Sequence, residues 1–304
     1  MFFDRLQDRI NQLDAPCCVG LDPILEQIPM EHRASFGLTE HDTLLRLSQV
    51  GGMETAAKCI QRWLISEVLP SIVGMVPAVK PQMAYFEQLG PEGLKVLQNV
   101  THIAKKMGFI VILDGKRGDI GSTSEAYANA YLDPRISGYY ADALTVAPYM
   151  GDDSVGPFVE KALQYDKGVF CLVRTTNPGA ARMQLTELYT GKASYELAAY
   201  TVKEINMNAP KHVGVVSGPC GAVVGALDPD SASRVRALLP TEFFLVPGYG
   251  AQGGVKRAVE ACFTSGGQRA LVNSARAVLY PKEGSIAEAC WQFIHEVRSI
   301  RDGK

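Results

Sequence analysis

The amino-acid sequence predicts an α/β protein with a (β/α)8 TIM barrel fold. Eight short apolar runs recur along the chain, and most of the gaps between them have the apolar spacing of amphipathic helices. The runs are continuously apolar, as in parallel strands that are buried on both faces. A doubly wound open sheet shares this local pattern, but the count of eight favours the closed barrel.

The predicted strands and helices alternate along the chain. The strands are residues 17–21, 75–79, 109–113, 143–147, 169–173, 222–225, 243–246 and 270–272. The helices are residues 55–69, 92–106, 155–164, 193–206, 231–238, 254–262 and 286–301. Two connections, 22–74 and 175–221, are long and contain extra helical or Pro/Gly-rich sequence. Because the chain has no low-complexity linker or internal repeat, we expect residues 1–304 to form a single barrel domain with insertions in the first-to-second and fifth-to-sixth strand connections.

Composition and charge exclude several classes of protein. Hydrophobic residues make up 47% of the chain, which is enough for a large core and excludes wholesale disorder. The formal net charge of -2 gives no electrostatic case for binding nucleic acid or an anionic membrane. The seven cysteines contain no C-x-x-C pair, and the N-terminus lacks the apolar stretch of a signal peptide. We therefore expect buried thiols, a cytoplasmic location and no membrane partner.

Polar residues follow most of the predicted strands, where the loops of a barrel surround one mouth. They are Asp22, Lys80, Asp114, Lys116, Thr175, Thr176, residues 248–252 and residues 273–276. Exposure of strand ends to water explains one or two such residues, but not charges of alternating sign after successive strands. We therefore expect the functional site at this mouth.

The densest group of charges lies after the third strand. Because side chains alternate along a strand, Asp114 and Lys116 are expected to point into the mouth together. With Lys80 and Asp119 they would form an array of alternating sign in which each group keeps its partners ionised. Such an array is a preorganised electrostatic site, and a structural ion-pair network at the rim is the alternative.

Six short motifs follow one another along nearly the whole chain. They are VGLDP at 19–23, AVKPQMAYFE at 78–87, the D-x-K-x-x-D pattern at 114–119, VVGA at 223–226, VPGYGAQGG at 246–254 and VNSAR at 272–276. Taken in this order, they carry a resemblance to the orotidine 5'-phosphate decarboxylase family, and in particular to its longer bacterial branch. The resemblance implies cofactor-free decarboxylation of orotidine 5'-monophosphate to UMP, the final step of de novo pyrimidine nucleotide synthesis.

The resemblance also implies a role for each charged residue. Lys116 would be the ammonium beside C6 of the pyrimidine, and Asp114 would lie next to the substrate carboxylate. Lys80 and Asp22 would bind the ribose hydroxyls, and Asp119 would act from the neighbouring subunit of a homodimer. A carbanion with no conjugated electron sink needs a fixed positive charge and a nearby proton. A lysine held by carboxylates supplies both, so we expect neither a metal nor an organic cofactor.

A phosphate site is expected in the loops after the seventh and eighth strands, where barrels commonly provide one. Glycines there let backbone N–H groups approach an anion, and a guanidinium can bind a phosphate through two hydrogen bonds. The resemblance assigns phosphate binding to Gln252 and Arg276, and its motifs place Pro247 and Ala275 among the substrate-binding residues.

Two threonines complete the expected substrate contacts. Thr176 stands where the base-contacting loop of the family commonly has a serine, so a hydroxyl is retained. Thr123 matches a residue that reaches the site of the partner subunit, and a helix N-cap is its structural alternative.

Two other functions stay open from the sequence. Sugar-phosphate barrels such as 3-hexulose-6-phosphate synthase and 3-keto-L-gulonate-6-phosphate decarboxylase share the Asp-x-Lys-x-x-Asp strand, but they stabilise an enediolate with Mg²⁺ and need a further carboxylate ligand. Lys80 occupies such a position, and a lysine there repels a cation. A catalytically silent barrel that binds a nucleotide or a partner protein is the second alternative, and the intact charged positions argue against it.

Overall fold

The computed structural model describes residues 1–210, 218–249 and 254–303. Among these residues, eight parallel strands form a closed barrel in chain order, with the last strand paired to the first. The strands are β1 (Cys17–Leu21), β2 (Ala78–Pro81), β3 (Ile110–Arg117), β4 (Ala143–Val146), β5 (Gly168–Arg174), β6 (Cys220–Val224), β7 (Phe244–Val246) and β8 (Ala270–Ser274). The predicted (β/α)8 fold is confirmed.

Helices precede the first strand and fill the connections between the others. They are α1 (Phe2–Leu13), α2 (Met30–Ala34), α3 (Leu44–Gln49), α4 (Met53–Trp63), α5 (Leu69–Ile72), α6 (Ala84–Glu87), α7 (Gly90–Lys106), α8 (Gly121–Leu132), α9 (Asp152–Tyr165), α10 (Ala180–Gln184), α11 (Ser194–Asn208), α12 (Pro229–Leu238), α13 (Lys256–Cys262), α14 (Arg276–Leu279) and α15 (Ile286–Arg301). A 3₁₀-helix at Leu25–Gln27 and a π-helix at Leu64–Val68 lie in the long connection after β1. Across the described ranges, every helix is too short or too polar to span a lipid bilayer.

The helix α1 closes the barrel at the amino ends of the strands. Its buried face carries apolar side chains at helical spacing, namely Phe2, Phe3, Leu6 and Ile10. The ring of Phe3 lies 5.2 Å from that of Phe170 and 5.6 Å from that of Phe243, between their centroids. These residues belong to the apolar cluster inside the barrel. The carboxyl ends of the strands are therefore the open end.

Four strands, β2, β3, β5 and β8, extend further toward the mouth than their apolar runs predict. Lys80 lies within β2, paired with Gly20, rather than after the strand. Asp114 and Lys116 lie within β3, which continues to Arg117. The prediction that these polar residues follow the strands was wrong in this detail. Backbone hydrogen bonding continues past the apolar run because it does not depend on side-chain polarity.

Candidate active site

A cavity of about 500 Å³ opens at the carboxyl ends of the strands, a volume suited to a small ligand. Its described lining comes from strands and loops all around the mouth. The lining residues are Asp22, Lys80, Gln82, Asp114, Lys116, Thr145, Leu172, Thr175, Thr176, Asn177, Gln184, Val223, Leu245, Pro247, Gly248, Tyr249, Asn273, Ser274, Ala275 and Arg276. The structure thus brings most of the predicted site residues to one cavity.

The buried carboxylate of Asp114 accepts hydrogen bonds on both of its oxygens. Lys80 Nζ and Gln82 Nε2 donate to Oδ2, at 2.8 and 2.9 Å. Lys116 Nζ and Thr145 Oγ1 donate to Oδ1, at 2.6 and 2.9 Å. These donors match the accepting capacity of a carboxylate. Burial raises the pKa of the Asp114 carboxyl, but the two ammonium groups outweigh burial and hold that pKa well below its usual range.

The two lysines differ in their exposure to solvent. The side chain of Lys80 is 5% exposed, whereas that of Lys116 is 46% exposed. Burial lowers the pKa of the Lys80 ammonium, but Asp114 and Asp22 outweigh burial and raise that pKa above its ordinary value. Lys80 is therefore a fixed buried cation, whereas Lys116 presents its ammonium to the cavity.

Asp22 follows β1 directly and lies at the edge of this charged cluster. Its Oδ1 atom is buried and has no hydrogen-bond partner among the described residues. Burial raises the pKa of its carboxyl, and the charge of Lys80 reverses only part of that effect. A buried acceptor without a donor is costly. This oxygen is therefore placed to accept a hydrogen bond from a bound hydroxyl group.

An irregularity in β3 places Lys116 in an uncommon backbone conformation. Its φ is +46°, in the left-handed region that non-glycine residues seldom adopt. The register between β3 and β4 shifts between Leu113 and Arg117, in the stretch that contains Lys116. The Arg117 side chain forms an ion pair with Glu87 and donates to the Gly115 carbonyl oxygen at 3.1 Å. Irregularities of this kind change the direction of side chains along a strand, so Lys116 and Arg117 contact different partners.

The loops after β7 and β8 carry the candidate phosphate-binding residues. Arg276 is the first residue of α14, and it lines the cavity together with Pro247 and Ala275. Gly248 has a φ of +92°, a conformation that favours glycine. Gln252, the other predicted phosphate ligand, lies outside the described residues.

The loop after β5 carries Thr176 and is tied to α10 by Gln184. The Gln184 side-chain oxygen accepts a hydrogen bond from the backbone N–H of Thr175 at 2.9 Å, and its Nε2 donates to Thr175 Oγ1 at 2.8 Å. Thr175 Oγ1 in turn donates to Asn177 Oδ1 at 2.7 Å. This network holds the loop on both sides of Thr176, which lines the cavity.

Asp119 and Thr123 are not among the described residues that line the cavity of their own chain. An Asp119 side-chain oxygen accepts a hydrogen bond from the Ile120 backbone N–H at 2.8 Å. The helix α8 begins at Gly121 with Ile120 as its N-cap. The alternative that Thr123 caps this helix is therefore wrong, because the helix begins two residues earlier.

The cavity residues that were not singled out from the sequence include Gln82, Thr145 and Gln184. Gln82 stands two positions after Lys80, so strand alternation could have placed the two side chains on one face. Thr145 interrupts the apolar run of β4, which is a weak signal. Gln184 carried no signal, because its position depends on how the long connection folds.

Comparison with known proteins identifies the family. Residues 63–283 match the model of the orotidine 5'-phosphate decarboxylase / HUMPS family. An orotidine 5'-phosphate decarboxylase of Rhodopirellula baltica is 42% identical, covering 96% of this chain and 94% of the relative. One of Caldicellulosiruptor bescii is 35% identical, covering 92% and 89%. The solved structure of Leishmania donovani OMP decarboxylase is 32% identical with a TM-score of 0.73, covering 99% of both chains. This chain belongs to the orotidine 5'-phosphate decarboxylase / HUMPS family.

Proposed function

We propose that this protein decarboxylates orotidine 5'-monophosphate to UMP in pyrimidine nucleotide synthesis. The observation that carries the proposal is the carboxylate of Asp114, held between the ammonium groups of Lys80 and Lys116 at the mouth of the cavity. The alternative from the sequence is a sugar-phosphate enzyme that shares the Asp-x-Lys-x-x-Asp strand. Full-length relatives at 42% and 35% identity, both orotidine 5'-phosphate decarboxylases, favour the nucleotide substrate.

The substrate would be bound through its polar ends. Arg276, with Gln252, would hold the phosphate, because a guanidinium offers two parallel donors to phosphate oxygens. The unpartnered Oδ1 of Asp22 would accept a hydrogen bond from a ribose hydroxyl, and Lys80 would donate one. Thr176 would contact the pyrimidine, in a loop held by its own hydrogen bonds.

Pro247 and Ala275 also line the cavity. The first belongs to the loop after β7, and the second directly precedes Arg276. We expect both to contact the substrate through shape rather than charge.

The chemical step would centre on Lys116. The bond between C6 and the carboxylate carbon breaks, CO₂ leaves, and the electron pair stays on C6. The Lys116 ammonium stabilises this developing charge and then transfers a proton to C6, which forms UMP. Asp114 fixes Lys116 by the 2.6 Å hydrogen bond and presents a negative charge to the carboxylate that is lost. We propose that these side chains suffice without a metal or an organic cofactor.

We further propose a homodimer in which Asp119 and Thr123 contribute to the site of the partner subunit. Neither residue is among the described residues that line the cavity of its own chain. Large apolar side chains are exposed in the same region: Ile120 is 57% exposed, and Tyr149 in the loop after β4 is 84% exposed. Exposed apolar groups of this kind mark interaction surfaces when they cluster. A two-fold interface there would carry each Asp119 to the other chain.

The decisive experiment measures the loss of orotidine 5'-monophosphate absorbance with purified, EDTA-treated protein. We expect full turnover after EDTA treatment and none in a folded Lys116→Ala variant. Mg²⁺-dependent turnover of a ketose phosphate instead would favour a sugar-phosphate lyase. UMP binding without any turnover would indicate a silent nucleotide-binding barrel.

A further inference from the structure

We propose that Thr145 is a positioning residue whose hydroxyl fixes Lys116 in its reactive arrangement with Asp114. The inference rests on the proposed function, because it takes Lys116 as the group that acts on the substrate. Thr145 belongs to β4, the strand next to β3, and it is fully buried.

The Thr145 hydroxyl connects the backbone of Lys116 to the carboxylate of Asp114. Its oxygen accepts a hydrogen bond from the Lys116 backbone N–H at 2.9 Å and donates its proton to Asp114 Oδ1, also at 2.9 Å. The same Oδ1 accepts the hydrogen bond from Lys116 Nζ at 2.6 Å. A backbone N–H can only donate and an ionised carboxylate can only accept, so the direction of each hydrogen bond is fixed.

These contacts form a closed ring that begins and ends on Lys116. The ring holds the main chain of Lys116 through its N–H and the side chain through its ammonium, and both lead to one oxygen of Asp114. A lysine side chain is otherwise flexible, with several rotatable bonds. Two separate attachments to the same oxygen restrict where the ammonium can lie.

The backbone of Lys116 needs such an attachment. Its φ of +46° lies in the left-handed region, and the β3–β4 register is irregular there. An uncommon backbone conformation persists only where surrounding contacts enforce it. The hydroxyl of Thr145 supplies one of these contacts by taking the N–H where the regular ladder is interrupted. Without it, we expect the Lys116 backbone to relax and its ammonium to move away from the reacting carbon.

The expected defect is in the chemical step and not in substrate binding. Arg276 and Asp22, the proposed ligands of the phosphate and the ribose, are not hydrogen-bonded to Thr145 in the described structure. The chemical step, in contrast, is sensitive to displacements of about 1 Å in a reacting group. Loss of the hydroxyl should therefore lower kcat and leave KM nearly unchanged.

The test compares Thr145→Val, which keeps the shape and removes the hydroxyl, with Thr145→Ser, which keeps the hydroxyl. We expect kcat for orotidine 5'-monophosphate to fall about 100-fold in Thr145→Val, by analogy with misplaced catalytic groups. KM and the affinity for UMP should stay within about threefold of the parent, and Thr145→Ser should restore most of kcat. Thr101→Val is the matched control, because Thr101 is also fully buried and donates to the Leu97 carbonyl oxygen of α7.

The control variant should keep the parental kcat, since the hydroxyl that it loses donates to carbonyl oxygens of its own helix rather than to Asp114. A Thr145→Val protein with an unchanged kcat would overturn the inference, and so would an equal loss of kcat in Thr145→Ser. If Thr145→Val does not fold, Thr145→Ala, which adds no bulk, is compared with Thr145→Ser by the same criteria. An inactive parent protein would refute the proposed function, whereas an active parent with a fully active Thr145→Val variant would refute only the positioning role.

Discussion

Lys80 and Lys116 donate hydrogen bonds to opposite oxygens of one carboxylate. The two nitrogen atoms lie 2.8 and 2.6 Å from the oxygens of Asp114 that they contact. Lys80 is buried, so the loss of Asp114 would leave the Lys80 ammonium without a counter-charge and with little access to water. Lys116 is half-exposed and faces the cavity. The carboxylate thus connects a structural cation with one that can reach a ligand.

Replacement of Lys116 by alanine should abolish turnover while the protein stays folded. The residue is proposed both to stabilise the charge on C6 and to donate the proton, and such roles are each worth about 100-fold or more. We therefore expect kcat to fall by at least about 10⁴-fold. UMP binding by calorimetry and the thermal unfolding curve report whether the site and fold survive.

Lys95→Ala is a suitable control for this variant, because Lys95 is an exposed lysine of α7 that pairs with Glu92. Its kcat should match that of the parent. Substantial activity in a folded Lys116→Ala protein would exclude the proposed mechanism.

Replacement of Arg276 by alanine should mainly impair binding. Its guanidinium is proposed to contact the phosphate, and a hydrogen bond to a charged group is worth about 1.5–3 kcal/mol. We expect kcat/KM to fall about 100-fold, largely through KM, with a smaller fall in kcat where phosphate binding assists closure of the site. Steady-state kinetics at increasing concentrations of added guanidinium ion should show partial recovery.

An Arg276→Lys variant separates charge from geometry. It should retain part of the affinity, because an ammonium binds phosphate as a point charge without the two-pronged geometry. If Arg276→Ala leaves KM and kcat unchanged, the phosphate site lies elsewhere.

The sequence predicts the barrel well because its strands are buried on both faces and therefore carry a strong apolar signal. Cys17–Leu21, the first strand, matches its predicted bounds, and so does the last helix, Ile286–Arg301. The helix α8 carries no comparable signal, because its buried positions include Ser124 and Ala128, which are polar or small. The helix α1 does show apolar residues at helical spacing, although it was not among the predicted helices.

The sequence predicts those parts of the candidate site whose functional groups are charged side chains near the ends of strands. This signal identified three candidate site residues, namely Asp22, Asp114 and Lys116. The hydrogen bonds of Thr145 and Gln184 were not, because they depend on the strand irregularity at Lys116 and on the fold of the connection after β5. A short motif shows which residues carry charge, but not which neutral groups orient them.

Replacement of Asp22 by asparagine should stabilise the ligand-free protein at neutral and alkaline pH. Burial raises the pKa of Asp22 in the folded state above its ordinary value of about 3.9. The ionised carboxylate therefore destabilises the folded state when the pH lies above both values. This penalty shrinks as the pH falls through the folded-state pKa, and it disappears below the pKa of the unfolded chain.

The measurement is the difference in Tm between Asp22→Asn and the parent across this pH range. We expect a positive difference at pH 8 that decreases toward about pH 4. Asp8→Asn, at an exposed position of α1, is the control and should show little difference at either pH. A constant or negative difference would show that Asp22 is not a destabilising buried carboxylate.

Replacement of Phe3 by alanine should destabilise the whole barrel. The ring of Phe3 is buried against Phe170 and Phe243 inside the barrel. Truncation of a buried phenylalanine typically costs about 3–5 kcal/mol, which urea unfolding can measure. Phe3→Leu refills most of the space and should lose much less. Equal stability of Phe3→Ala and the parent would mean that α1 does not close the barrel in solution.

Mixing two inactive variants tests whether Asp119 acts in the partner subunit. Lys116→Ala and Asp119→Ala homodimers should both be nearly inactive. In a mixed dimer, one site combines both lesions, whereas the other receives an intact Lys116 from one chain and an intact Asp119 from the other. Random exchange makes about half of the dimers mixed, so roughly a quarter of all sites should recover, as expected for a site shared across a two-fold axis.

The two variants are unfolded together, refolded, and compared with each variant refolded alone. Native mass spectrometry establishes that mixed dimers have formed, because activity is interpretable only when they are present. A mixture of Lys116→Ala with Asp114→Ala is the matched control: these residues contact each other within one chain, so each site of that mixed dimer keeps one lesion and stays inactive. Recovery confined to the Asp119 mixture would place this carboxylate across the interface. Mixed dimers without recovery would place Asp119 in the site of its own subunit or outside the site altogether.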